Sequence, residues 1–141
     1  MTRILKAWVG PEPVVVSDLE DLVRDDGAGA TVSFVGTVRN TDLGREVAEL
    51  EYEAHPDAST ILEEVLREVC GTWGEVVAVA AVHRTGLLQV RDVAFVACVS
   101  SVHRKEGFAT CEGIVDAVKH RVPVWKRQVF ADGGQEWVNT P

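Results

Sequence analysis

From Ala30 to Arg39 the chain alternates, with Ala30, Val32, Phe34 and Val38 on one face and Thr31, Ser33, Thr37 and Arg39 on the other. A period of two predicts a half-buried strand. Ala48, Leu50, Tyr52 and Ala54 alternate with Glu49, Glu51 and Glu53 to predict a second strand, beyond a polar loop "NTDLGRE" that reads as mobile. Ile61, Leu62, Val65, Leu66, Val69, Cys70 and Trp73 recur at three- and four-residue spacing, the mark of an amphipathic helix entered near "HPDAS". The same spacing in Phe108, Cys111, Val115, Val118 and Val122 predicts another helix from about Val102, ended by Pro123. Ile4 to Val9 reads as a short strand. Ser17 and Glu20 have the spacing of a capping box, which predicts a short helix burying Leu19, Leu22 and Val23. Two continuous apolar runs, "VVAVAAV" (Val76 to Val82) and "VAFVACV" (Val93 to Val99), read as buried strands joined around "RTGLLQVRD". Val124 to Phe130 turns through "ADGG" into "QEWV", a hairpin-like ending. Interspersed helices and strands with several short strand-to-strand connections predict an α+β fold with largely antiparallel sheet and about three helices.

Composition narrows this picture. At 141 residues and 46% apolar content, with no repeat, low-complexity run or Pro/Ser-rich linker, the chain reads as one domain spanning residues 1–141. The longest apolar runs hold seven residues, far short of the roughly 20 needed to cross a membrane. The N-terminal "MTRILKAWVGPEP" shows neither a secretory signal nor a transit peptide, which predicts a cytoplasmic protein. Cys70, Cys98 and Cys111 are odd in number, lie within apolar patterns and form no C-x-x-C pair, so they are expected to be reduced, buried thiols.

Charge points to a place. The net charge is −8, yet "KHRVPVWKR", Lys119 to Arg127, holds four Lys/Arg and a histidine without an acid. Lys119 and Arg121 near a helix C-terminus complement its dipole, a sufficient reason for their presence there. His103, Arg104 and Lys105 of "SSVHRKE" are different, because they begin a helix, where positive charge is unfavourable unless something compensates it. An anion held by the free N–H groups, His and Arg would do so; a surface cluster with Glu106 is the plainer alternative. Lys126 falls on the face of Val122, Val124 and Phe130, where a lysine is partly desolvated and its pKa lowered, unless its amine reaches water. Arg39, just after Gly36 and Thr37, offers a two-pronged anion donor. No phosphate-binding Gly-rich loop, dinucleotide fingerprint or H-E-x-x-H occurs, and His55, His83, His103 and His120 have no metal-ligand spacing, so neither a metal nor a cofactor is expected. A long nucleic acid would be repelled by a net charge of −8 outside the basic patch; a small anionic substrate fits better.

In "FVGTVRN", "LEYEAHP", "HRTG", "SSVHRKEGFATCE", "VKHRVPVWKR" and "DGGQEWV", taken in order, the chain resembles the large, catalytic subunit of molybdopterin synthase over nearly its whole length. The resemblance implies an α/β hammerhead fold and an enzyme that converts cyclic pyranopterin monophosphate to molybdopterin, installing two dithiolene sulfurs. It implies a sulfur source too: the thiocarboxylated C-terminal glycine of a small ubiquitin-like partner, one at each end of a homodimer of large subunits. By motif, Lys119 and Lys126 are the implied catalytic lysines, Arg39, His103 and Arg104 the implied substrate-binding groups, with Thr37, Arg127 and Gln128 beside them. Against the family pattern, position 128 is Gln where relatives often carry Glu, and the chain ends at Pro141 where many continue.

A continuous helix from His103 to Lys119 would separate them by about 24 Å at 1.5 Å per residue. One small substrate cannot touch both within one chain, so His103 and Arg104 are expected to serve the site of a neighbouring subunit across a two-fold axis. The rival expectations are a non-catalytic module that binds anions or nucleic acid with the same basic face, and a purely structural partner of the small subunit.

Overall fold

The computed structural model describes residues 2–71 and 74–138. In order these form β1 (Arg3–Gly10), α1 (Val16–Val23), β2 (Ala30–Thr37), β3 (Thr41–Asp42), β4 (Arg45–Ala54) and α2 (Ala58–Cys70). There follow β5 (Val76–Arg84), β6 (Gly86–Leu88), β7 (Val93–Ser101), α3 (Arg104–Arg121), β8 (Val124–Phe130) and β9 (Gln135–Val138). One sheet has the order β1-β5-β7-β2, with only the β1–β5 pair parallel. The other runs β3-β4-β8-β9, with β6 also paired to β4. The architecture is the α+β, largely antiparallel arrangement that the alternating segments predict. No helix among the described residues is long and apolar enough to cross a membrane.

Both apolar runs are inner strands of the first sheet and are covered on both faces, which is why they lack alternation. On one face α2 and α3 bury Leu62, Val65, Leu66, Cys111, Ile114 and Val118 against Val79, Ala81, Ala97 and Val99. On the other, α1 sets Leu19 and Val23 against Ala78, Ala80, Val96 and Cys98. A small third cluster of Val38, Leu50, Leu88 and Ala94, with Tyr52 packed on it, joins the two sheets. The three cysteines are free and buried, as expected, and burial pushes the thiols of Cys70 and Cys111 up to about 11.

Several local expectations change. The capping box does not form, because α1 begins at Val16 with Val15 as its N-cap and no side-chain cap bond. Ser17 is therefore inside the helix, and the Glu20 carboxylate instead accepts a hydrogen bond from Ser33 Oγ at 2.7 Å. Two turns are too short to bury a third apolar residue, and Leu22 stays 43% exposed. Nor is "NTDLGRE" an open loop. Leu43 (φ 49°) and Gly44 (φ 80°) make a two-residue turn that closes β3 on β4, with left-handed backbone at both positions. In β4 the register shifts between Val47 and Glu49, so Val47 and Leu50 both point inward and Ala48 turns out to solvent. Segment "RTGLLQVRD" contributes a strand of its own, β6.

Helix α3 is rotated from its predicted face. Its buried residues are Gly107, Thr110, Cys111, Ile114 and Val118, while Phe108 is 62% exposed. Gly107 explains the rotation, since a Cβ there would lie 2.7 Å from Ser101 Oγ and 3.1 Å from Val32 Cγ2. The helix thus lays its small residues on the sheet at close range, and a phenylalanine one position later is carried outward. Trp73, assigned to the α2 stripe from its spacing, lies outside the described residues, as does Pro141.

Candidate active site

The C-terminal turn of α3 meets β8 over a cleft of about 200 Å³. Lys119 comes from the last turn of the helix, and Lys126 from β8, where it pairs in register with Tyr52 of β4. Tyr52, His83, Phe95, Val115, Val118, Val122 and Val124 line the rest. Strand alternation puts Lys126 among these apolar walls, as its spacing predicts, and burial lowers its pKa. Nearby cations Arg39 and Lys119 push it further down, against the carboxylates of Asp42 and Glu136. Four charged groups from four segments thus share one field: Arg39 after β2, Asp42 on β3, Lys119 on α3 and Lys126 on β8.

The cleft wall contains a titratable group that the sequence analysis leaves unassigned. His83 stacks edge-on against Tyr52, with ring centroids 4.8 Å apart, and lies 5.6 Å from Phe95. Burial lowers its pKa, and Nδ1 lies 2.9 Å from the Arg84 carbonyl. The imidazole is therefore neutral, with Nδ1–H donating and Nε2 an acceptor. Burial also raises the pKa of Tyr52, which keeps its hydroxyl protonated. In the sequence His83 is marked as the polar residue closing the apolar run "VVAVAAV" and as the first residue of "HRTG".

Most of the basic island is occupied elsewhere. Arg121 makes a two-pronged pair with Glu68 of α2, its second contact at 3.2 Å. Arg127 points to the face of β8 opposite Lys126, donating to Glu51 at 2.9 and 3.2 Å and to Gln135 at 3.3 Å. His120 is 2.7 Å from the Asp116 carbonyl. Lys119 and Lys126 are what remains to face the cleft.

Thr37 ends β2 on an exposed position, two residues before Arg39, which pairs with Asp42 at 3.6 Å. Gln128 is only 2% exposed and touches this pair from beneath, its Nε2 donating to Asp42 Oδ2 at 2.8 Å. A buried contact of this kind needs one donor and one acceptor. Replacing Gln128 by Glu puts two carboxylates face to face and raises the pKa of one of them above its unfolded value. The stability of Q128E should then fall as pH rises through that raised value, by about 1–3 kcal/mol between pH 5 and pH 8. Thermal melts of Q128E at both pH values measure this. Adding D42N, which restores one amide and one acid, should recover most of the loss.

His103 and Arg104 stand at the opposite end of α3, as an unbroken 18-residue helix requires. They line an open hollow with Gly29, Ala30, Val102 and Lys105, and His103 Nδ1 lies 3.0 Å from Glu75 Oε2. Glu75, His103 and Glu106 bring possible metal-ligand atoms within 4.8 Å of one another. A cation is poorly served there, since the helix dipole, Arg104 and Lys105 are all positive at that end.

The MoaE protein family model matches residues 9–121. A molybdopterin synthase catalytic subunit from Nostoc is 34% identical over 128 residues, covering 90% of this chain and 78% of that one. One from Pyrococcus abyssi is 38% identical over 128 residues, covering 91% and 86%. The crystal structure of molybdopterin synthase from Staphylococcus aureus superposes with a TM-score of 0.86 at 33% identity, covering 92% of this chain and 94% of that one. With this fold, this paired-lysine cleft and a match over most of its length, the chain belongs to the MoaE family, the catalytic subunits of molybdopterin synthase.

Proposed function

We propose that this chain acts as the sulfurtransferase subunit that turns cyclic pyranopterin monophosphate into molybdopterin, with Lys119 and Lys126 as its catalytic groups. The observation that carries the reading is the convergence of Lys119 and the half-buried Lys126 on one cleft within the field of Arg39. Sulfur arrives as the thiocarboxylate at the C-terminal glycine of a small ubiquitin-like subunit, threaded in extended form, a mode that asks little of side chains. As its sulfur attacks a substrate carbon, the two ammonium groups stabilise the developing oxyanion and protonate the leaving oxygen. Arg39, with Thr37 near it, is positioned to hold the anionic end of the substrate, and Gln128 acts through Asp42 to set the place of Arg39. Arg127, on the opposite face, supports the sheet and takes no part in this assignment. Reduced thiols are in keeping with a cytoplasmic setting.

The reading includes a dimer. The residue midway between His103 and Lys119 is Cys111, which lies in an exposed apolar groove with Val32, Phe34, Phe108, Glu112 and Val115. Phe34 and Phe108 are 38% and 62% exposed, and β2 is an edge strand. Two copies packed with antiparallel α3 helices about a two-fold axis near residue 111 would cover this groove. They would also bring His103 and Arg104 of each copy beside Lys119 of the other.

A nucleic-acid-binding module is disfavoured by the pairing of Arg39, Arg121 and Arg127 with Asp42, Glu68 and Glu51. The test mixes the protein with cyclic pyranopterin monophosphate and thiocarboxylated small subunit and measures dithiolene product. Wild type should form it and Lys119→Ala should form little. A folded wild-type protein that binds the small subunit without forming product would overturn the reading.

A further inference from the structure

The positive start of α3 is partly compensated from within the chain. Glu75, on the turn that enters β5, reaches across to His103, and the Val102 N–H donates to the Glu75 carbonyl at 2.9 Å, which ties that turn to the helix start. His103 is the N-cap residue of α3 but makes no side-chain cap bond; its carbonyl accepts from Ser101 Oγ at 2.6 Å. The backbone on both sides of the contact is thereby held, and among the described residues the imidazole is hydrogen-bonded by Glu75. With Nδ1 turned to Glu75, Nε2 is the ring nitrogen presented to a ligand.

We propose that Glu75 is a positioning residue of the shared active site: it fixes the His103 ring so that Nε2–H, beside Arg104, is offered as a donor to the phosphate-type group of the substrate in the second copy's cleft. This rests on the shared-site reading above. The charged groups around the ring are Glu75 from the turn before β5 and Arg104, Lys105 and Glu106 from α3; Gly29, Ala30 and Val102 complete the hollow without charge. Two acids against three potential cations leave the cluster one positive charge in excess when His103 is protonated, which a bound anion neutralises. Protonation is favoured here, because the hydrogen bond to Glu75 and its charge, with a smaller contribution from Glu106, raise the pKa of His103 above the ordinary histidine value. Nδ1–H then donates to the Glu75 carboxylate while Nε2–H remains a donor to the substrate.

The sign of the pH effect follows directly. Substrate affinity should be full below the pKa of His103 and decline as pH rises through it. Glu75→Gln removes the charge and keeps the shape, and at 48% side-chain exposure it should leave the fold intact. In the intact wild-type, E75Q and E106Q proteins without substrate, NMR titration of the His103 ring should show its midpoint moved to lower pH by E75Q and less so by E106Q. In turnover with cyclic pyranopterin monophosphate, E75Q should raise KM about two- to fivefold near pH 8 with kcat little changed, as expected for loss of an exposed ion pair. The KM difference should narrow toward pH 6, and Glu75→Asp should restore part of it. An unchanged His103 midpoint in E75Q overturns the proposal. So does a fall in kcat at every pH with KM unaltered. Because the titration is read without substrate or small subunit, it tests the coupling of Glu75 to His103 separately from the proposed function, which failure to form product would refute.

Discussion

Replacing Lys126 by methionine is expected to lower turnover by roughly 10²–10³-fold, the usual cost of removing one preorganised charge from a site of acyl-type chemistry, while raising the melting temperature at neutral pH. The second half of this expectation comes from burial. Because burial holds the folded-state pKa of Lys126 below its unfolded value, the unfolded chain binds this proton more tightly than the native one. Keeping the amine charged therefore costs folding stability at neutral pH, and the cost disappears as pH rises above the unfolded lysine value. Methionine fills the same space among Val122, Val124 and Tyr52 without that cost. The stability gain of K126M should shrink toward alkaline pH, which paired melts at pH 7 and pH 10 measure. Lys126→Arg provides the control for charge. Arginine keeps the cation, but it does not release a proton at any working pH, so turnover should be lost as completely as in K126M. In the wild type the protonated amine is the working form, so the alkaline limb of activity should lie below the ordinary lysine range. A Lys126→Arg protein with near-normal turnover would reduce this residue to an electrostatic anchor.

Dimer disruption should be as damaging without touching a catalytic group. Phe108→Asp places a charge in the apolar groove at the middle of α3, 62% exposed in the single chain, and should yield a folded monomer by sedimentation that forms almost no product. Complementation supplies the sharper result. His103→Ala and Lys119→Ala homodimers should each be inactive, whereas a heterodimer of the two contains one site with every residue intact. It should recover about half of wild-type activity, because one of two symmetry-related sites is whole. Failure to recover any activity would refute the antiparallel arrangement of α3 helices and return His103 and Arg104 to some other role.

These expectations rest unevenly on sequence and structure. Strand alternation alone put Lys126 on an apolar face, and the uninterrupted stripe to Pro123 alone made His103 and Lys119 too distant to share a substrate within one chain. The same local patterns located the inner strands, since a buried run such as Val93 to Val99 has few alternatives to an inner strand. Local pattern failed where a contact distant in sequence decided the outcome. Ser17 could not cap α1 because the N-cap falls two residues earlier, at Val15, and Glu20 is drawn to Ser33. Phe108 matched the helical stripe but was carried outward by the close seat of Gly107 on Ser101 and Val32.

The basic island shows the division most clearly. Its sequence determined that cations would gather at the end of α3 and the start of β8, and that strand parity would turn Lys126 and Arg127 to opposite faces. Only the tertiary structure decided which charges remain for chemistry. Glu68 on α2 takes Arg121 and Glu51 on β4 takes Arg127, across 53 and 76 residues of chain. Likewise, no spacing rule joins Gln128 to Asp42, separated by 86 residues, or Glu75 to His103, separated by 28. Period and propensity act over a few residues, whereas the pairing of charges depends on which strands and helices end up adjacent, and that is set by the packing of the whole chain.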